Sequence, residues 1–446
     1  MKFVLALLFA AALASPAAAA PSFADDLRQC KEGATPKERA EGCAAAIEWG
    51  ELQGDALAAA FSQYGLALFD SGEHVRALAA VTEAMRINPL ASRYTWLRGL
   101  MHYQLQDCAQ AQPDFDRALA LGDTQAQTYF YRGSCYEKEG AARALVDFET
   151  AIRLAPEMPD AYFGRAAALA QLGRTAEALA SADAGVAIAP DKPQSYVARA
   201  GIHIALENTT LAKADLAQAL TLDSEFVPAL SGLAELTYKD GQVDAALGYY
   251  DRIVKAEPEN SGALNNRCYL LAEIGRLDEA LKDCEASIAI TANEINLDSR
   301  GFVHLKRGDF TAALADFDAA LVKDAKLPSS LYGRGIARIR LGQTAEGQAD
   351  LAAAMTLISY MDDRAAAREA VRPALAIDAP GVQTAAAYAL ARLVPEEKDT
   401  PVLLGLLNDP VPTLRRAAWG ALNASPDPSV RDWVARAKGQ LVGERF

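Results

Sequence analysis

Residues 129–156 read YFYRGSCYEKEGAARALVDFETAIRLAP. A small residue, Gly133, sits inside the first helical run, and Gly140 separates that run from a second one containing Ala144. Pro156 ends the second run, at a point where proline can stop a helix. The same marks recur along the chain. The small residue reappears as Gly65, Gly99, Gly133, Ala166, Ala200, Ala234, Cys268, Gly301 and Gly335, always 33 or 34 residues apart. Ala77, Ala111, Ala144, Ala178, Ala212, Ala246, Ala280, Ala313 and Gly347 repeat at the same interval. Gly72, Gly140, Gly173, Gly241, Gly275, Gly308 and Gly342 mark the turns between paired helices, and Pro89, Pro156, Pro190 and Pro258 end second helices. Nine repeats fill 58–361, and such units bury their apolar faces only against their neighbours.

With a small residue at repeat position 8, alanine at 20, an aromatic near 24 and proline at 32, the array resembles the tetratricopeptide repeat family. The resemblance implies an all-α fold: an α-solenoid in which helical hairpins form a right-handed superhelix with a concave groove.

Both flanks read differently. Lys2, the apolar run Phe3 to Leu13 and the stretch ASPAAAA form a secretory signal over 1–20, cleaved near Ala19 or Ala20. Its eleven apolar residues fall short of the roughly 20 that a membrane span needs. The expected location is a bacterial periplasm. Segment 21–57 looks like a half-repeat cap. Beyond 361 the phase is lost: Asp378-Ala-Pro-Gly-Val-Gln and Asp409-Pro-Val-Pro-Thr-Leu-Arg recur, and Asp427-Pro-Ser-Val-Arg starts a third time. Segment 362–446 thus resembles HEAT-like helical repeats following the solenoid, either a second interaction surface or a cap.

Charge narrows the function. Acidic residues outnumber basic ones 58 to 44, leaving a formal charge of −14, which argues against nucleic-acid or anionic-membrane binding. Aromatics make up only 7% of the residues, and much of the apolar content is alanine, which suits closely stacked helices. Direct membrane insertion is not expected.

Arg98, Arg132, Arg199, Arg267, Arg300 and Arg334 occupy repeat position 7. Asp114, Asp147, Asp215, Asp283, Asp316 and Asp350 occupy position 23 of the same six repeats. The first and sixth repeats lack both residues, and Arg165 faces Ser181. Such co-occurrence points to structural ion pairs between the helices of a hairpin, since a catalytic dyad would not be copied six times. His102, His203 and His304 share position 11 but stand three repeats apart, too far to hold one metal; His74 is placed in a turn. No nucleophile–base constellation, P-loop or H-E-x-x-H helix is present, so no active site, cofactor or metal site is read.

An even number of cysteines in an exported chain favours disulfides, although six allow 15 connectivities. The resemblance implies three local links. Cys30 and Cys43 look like the cap pair of exported bacterial relatives; Cys268 and Cys284 stand at positions 8 and 24, which touch across the hairpin. Cys108 opens a second helix beside the helix of Cys135.

In this family positions 2, 5, 9, 12 and 13 line the groove. Position 5 carries Trp96, Phe130 and Phe163, position 12 carries Tyr103 and position 2 carries Arg93. These aromatics are expected to lack buried partners and to bind a protein or peptide, so that exchanging Trp96 and Phe130 for Ala spares folding. Lys at 5 and Asn at 9, which form the family's carboxylate clamp, are replaced by Trp96 and Leu100, then Phe130 and Ser134. The implied function is a scaffold or adaptor binding an unstructured segment of an envelope protein. The alternative is a structural component of an envelope or export complex acting through its convex face and HEAT-like end.

Overall fold

The computed structural model describes residues 22–136, 140–358, 371–376, 380–393, 395–407, 411–432 and 434. The signal segment 1–20 lies outside them, as do Asp378 and Asp409 of the HEAT-like starts. All regular structure in the described residues is helical, and none of these helices is long and apolar enough to cross a membrane. The helices gather into two lobes, Met1–Leu222 and Asp223–Phe446.

The first lobe opens with α1 (Phe23–Glu32) and α2 (Pro36–Glu48). Ser22 caps α1, and Thr35 caps α2 through a reciprocal box with Glu38, satisfying amides that a helix start leaves free. The expected half-repeat is therefore a complete helical hairpin. Five further hairpins follow: α3 (Gly54–Asp70) with α4 (His74–Ile87), α5 (Ser92–Gln104) with α6 (Cys108–Ala120), and α7 (Ala126–Ser134) with α8 (Ala141–Leu154). The last two pairs are α9 (Pro159–Gln171) with α10 (Thr175–Ile188), and α11 (Pro193–Ala205) with α12 (Thr209–Leu222). His74 opens α4 instead of lying in the turn, and Cys135 caps the C-terminus of α7 instead of lying within it.

Four hairpins build the second lobe: α13 (Val227–Lys239) with α14 (Val243–Ala256), and α15 (Ser261–Glu273) with α16 (Leu277–Ile290). They continue as α17 (Glu294–Arg307) with α18 (Phe310–Lys323), and α19 (Pro328–Arg340) with α20 (Thr344–Ile358). After them come α21 (Pro380–Leu393), α22 (Thr400–Leu406) and α23 (Pro412–Asn423). Leu390, Leu403 and Leu422 share one core with Leu351 and Met355 of α20, so these C-terminal helices cover the apolar side of the ninth repeat.

Two sequence features set the hairpin geometry. Position 8 is small because the ring at position 24 packs on it: a Cβ on Gly301 would come within 2.7 Å of Phe317, which is fully buried. The turn at position 15 is left-handed, with φ of 73–84° at Gly72, Gly173, Gly241, Gly275, Gly308 and Gly342. Gln106 and Glu207 adopt the same conformation at φ 58° and 61°, which glycine tolerates far better than a residue with a Cβ.

Candidate partner-binding site

The first helices α5, α7 and α9 carry the aromatic residues of the proposed groove. Tyr103 and Tyr131 lie with ring centroids 4.9 Å apart, Phe130 and Tyr131 at 5.3 Å, and Phe130 and Phe148 at 6.0 Å. These rings form a stripe across neighbouring repeats. Tyr131, at position 6, was not among the residues chosen from the sequence, because nothing in the repeat pattern distinguishes it from a packing residue.

The stripe corrects one expectation. Trp96, Phe130 and Phe163 do not lack partners; each is half-buried. Trp96 packs against the core of the first repeat and against the cluster of Ala111 and Phe115, and its buried Nε1 has no hydrogen-bond partner among the described residues. Phe130 and Phe163 pack on Phe148, Ala166 and Ala182. Phe163 lies so close to Gly185 that a Cβ there would meet its ring at 2.8 Å. Small residues on adjoining helices open room for these rings, so one side of each is covered. Arg93 is exposed, but its guanidinium lies over the Tyr94 ring, 4.5 Å from the centroid.

The position-7 arginines sit on the first helices of six repeats. Arg98 donates through Nε and Nη2 to both oxygens of Asp114. Arg132 with Asp147, Arg199 with Asp215, Arg267 with Asp283, Arg300 with Asp316 and Arg334 with Asp350 form the same fork, at 2.6–2.9 Å. All six aspartates are buried. The hydrogen bonds to aspartate hold these guanidiniums above their ordinary pKa, more than offsetting burial. They are fixed structural cations.

The sequence reading missed a third contact. Arg132, Arg199, Arg267 and Arg334 each turn Nη1 to an aspartate of the preceding repeat: Asp116, Asp183, Asp251 and Asp318, at 2.7–3.0 Å. Arg98 meets Thr82 in that place. A count of acids at position 25 would have revealed the series.

The position-11 histidines lie beside separate carboxylates, His203 at 3.7 Å from Asp215 and His304 at 3.8 Å from Asp316, while His102 is 3.8 Å from Asp107. Among the described residues no group of three or more His, Cys, Asp or Glu is placed to hold a metal ion. The cysteines stand in three close pairs. Their Cα separations are 4.3 Å for Cys30 and Cys43, 5.1 Å for Cys108 and Cys135, and 5.5 Å for Cys268 and Cys284.

A family model for the tetratricopeptide repeat matches residues 63–126, 136–193, 198–260, 231–295 and 300–361, more than half of the chain. The chain belongs to the tetratricopeptide repeat family, whose helical hairpins build protein-interaction scaffolds. A curated relative, the TPR repeat-containing thioredoxin TTL4 of Arabidopsis thaliana, is 38% identical over 74 residues. That match covers 17% of this chain and 10% of TTL4, so the chain spans about a tenth of that relative's length.

Among solved structures, YrrB, described as a TPR protein with an unusual peptide-binding site, is 23% identical. Its match covers 43% of this chain and 97% of YrrB, with a TM-score of 0.35. The APC/C hetero-tetramer Cut9-Hcn1 is 15% identical over 89% of this chain and 87% of its own, with a TM-score of 0.43. Yeast Tom70 is 14% identical over 87% and 96%, with a TM-score of 0.42.

Proposed function

We propose that this chain is a periplasmic scaffold or adaptor that binds an extended, aromatic or apolar segment of an envelope protein along α5, α7 and α9. One observation carries the reading. The aromatic stripe of Trp96, Tyr103, Phe130, Tyr131 and Phe163 runs over three consecutive repeats, each ring packed on one side and still partly open on the other. Half-seated aromatics offer large apolar area with little conformational freedom left to lose, which is how binding hot spots work. The signal-like segment 1–20 supports export. The shared core of the C-terminal helices and the ninth repeat supports a capping role there over a second binding surface.

Site-specific photocrosslinking in the native host tests this. A photoreactive residue at exposed Gln104 or Gln127, on the two helices that carry Trp96 and Phe130, should capture an envelope protein. One at exposed Val322, on a second helix, should not. Capture only from positions within 380–423 would overturn the reading and favour the role in a complex.

A further inference from the structure

The sixth and seventh repeats carry tyrosines in a different state, at groove positions 12 and 9. Among the described residues, the rings of Tyr64, Tyr94, Tyr129, Tyr162, Tyr196 and Phe310 each have an arginine of this chain over or beside them, 4.5–6.0 Å from the centroid. Cations sit there because an aromatic ring presents a negative face. Tyr238 on α13 and Tyr269 on α15 pack edge to face at 6.1 Å and 87°, with their hydroxyls 3.4 Å apart. No arginine stands over either ring among the described residues, and Tyr269 is 51% exposed.

The surroundings are acidic. Glu273, exposed and one turn beyond Tyr269 on α15, adds a negative charge near the Tyr238 phenol. Two cations stand nearby, and each has a partner: Lys239 is held by Glu235 at 2.8 Å, and Lys306 donates to the Ala272 carbonyl at 2.9 Å. Burial, together with Tyr269 and Glu273, holds the Tyr238 phenol above its ordinary pKa, so it stays neutral at physiological pH.

We propose that the Tyr238–Tyr269 pair and Glu273 bind a lysine or arginine side chain of a partner protein. The cation lies against the Tyr269 ring face and its N–H groups donate to the Glu273 carboxylate. The excess of acidic over basic residues, 58 against 44, draws such a basic segment in. This inference rests on the protein-binding reading and extends it to groove positions 9, 12 and 13 of two further repeats. A chain whose α5–α9 stripe captures nothing can still bind here, so the two readings fail independently.

The test is fluorescence anisotropy on the full chain. The probe is a fluorescein-labelled Gly-Ser nonapeptide with a central Arg-Lys-Arg, compared with the same frame carrying Gln-Gln-Gln. Only the basic probe should bind. Tyr269→Leu and Glu273→Gln should each weaken it by about tenfold. Tyr269→Phe, which keeps the ring, should stay within about twofold. Glu259→Gln removes an equal charge from an exposed position elsewhere and should also stay within about twofold. Melting curves establish that each variant is folded. Equal losses from Glu259→Gln and Glu273→Gln, or unchanged binding by a folded Tyr269→Leu, would overturn the proposal in favour of diffuse attraction to an acidic surface.

Discussion

Arg132 and Asp116 belong to different repeats, yet Nη1 of the arginine lies 2.7 Å from Oδ1 of the aspartate. The same guanidinium grips buried Asp147 with its other edge. One side chain thus closes its own hairpin and fastens that hairpin to the one before. The two halves of this contact differ in environment: the Asp147 side chain is 4% exposed and the Asp116 side chain 58%.

That difference predicts unequal costs. Asp147→Ala leaves a partly buried guanidinium without its main partner and should cost about 2–4 kcal/mol. Asp116→Ala should cost under about 1 kcal/mol, and the loss should shrink at high salt. At the eighth repeat, Arg300→Ala combined with Asp316→Ala should cost less than the two singles together, with coupling of about 1–3 kcal/mol. Denaturant melts and hydrogen exchange resolved by repeat measure both effects. Simple additivity at Arg300 and Asp316 would show that they do not act as a pair.

The left-handed turns offer a cleaner test of backbone strain. Gln106→Gly and Glu207→Gly should each raise stability by about 0.5–1 kcal/mol, because the turn already demands positive φ. Gly275→Ala, at φ 81°, should lower it by about 1 kcal/mol. A destabilised Gln106→Gly would mean that the glutamine side chain contributes more than its backbone costs.

For the cysteines, the proposal is three disulfides within one chain. Peptide mapping without reductant should recover Cys30 linked to Cys43, Cys108 to Cys135 and Cys268 to Cys284; six free thiols would refute it. Removing the Cys268–Cys284 link by paired serine substitution should cost about 3 kcal/mol, the entropy of freeing a short loop.

Asp298 gives the chain a pH dependence. Burial pushes its carboxyl up to about 6, against the pull of hydroxyl donors from Ser330 and Ser329. In the unfolded chain the group titrates near 4. Between those values the folded state keeps a proton that the unfolded state has lost, so stability from this group falls as pH rises through about 4 to 6. Asp298→Asn retains an oxygen for Ser330 and should raise stability at pH 7.5 by about 2 kcal/mol. That gain should vanish near pH 4. A gain independent of pH would exclude the titration of Asp298 as its source.

The period of the chain and the arginine–aspartate pairing within a repeat were legible in residue order, while His74 and Cys135 show that the exact helix ends were not. Period and pairing depend on contacts inside a segment of about 34 residues, and the six-fold recurrence of Arg at position 7 with Asp at position 23 carries that information directly. The N-terminal cap was read too small because a hairpin outside the period leaves no repeated mark. Which residues meet across repeats depended on how one hairpin seats on the next. Asp116 reaches Arg132, and Phe163 settles over Gly185, only because neighbouring helices approach at one angle and distance, set by small residues and rings on both sides. For the same reason Trp96, Phe130 and Phe163 are half-covered instead of free. The cover comes from helices whose placement no single repeat encodes.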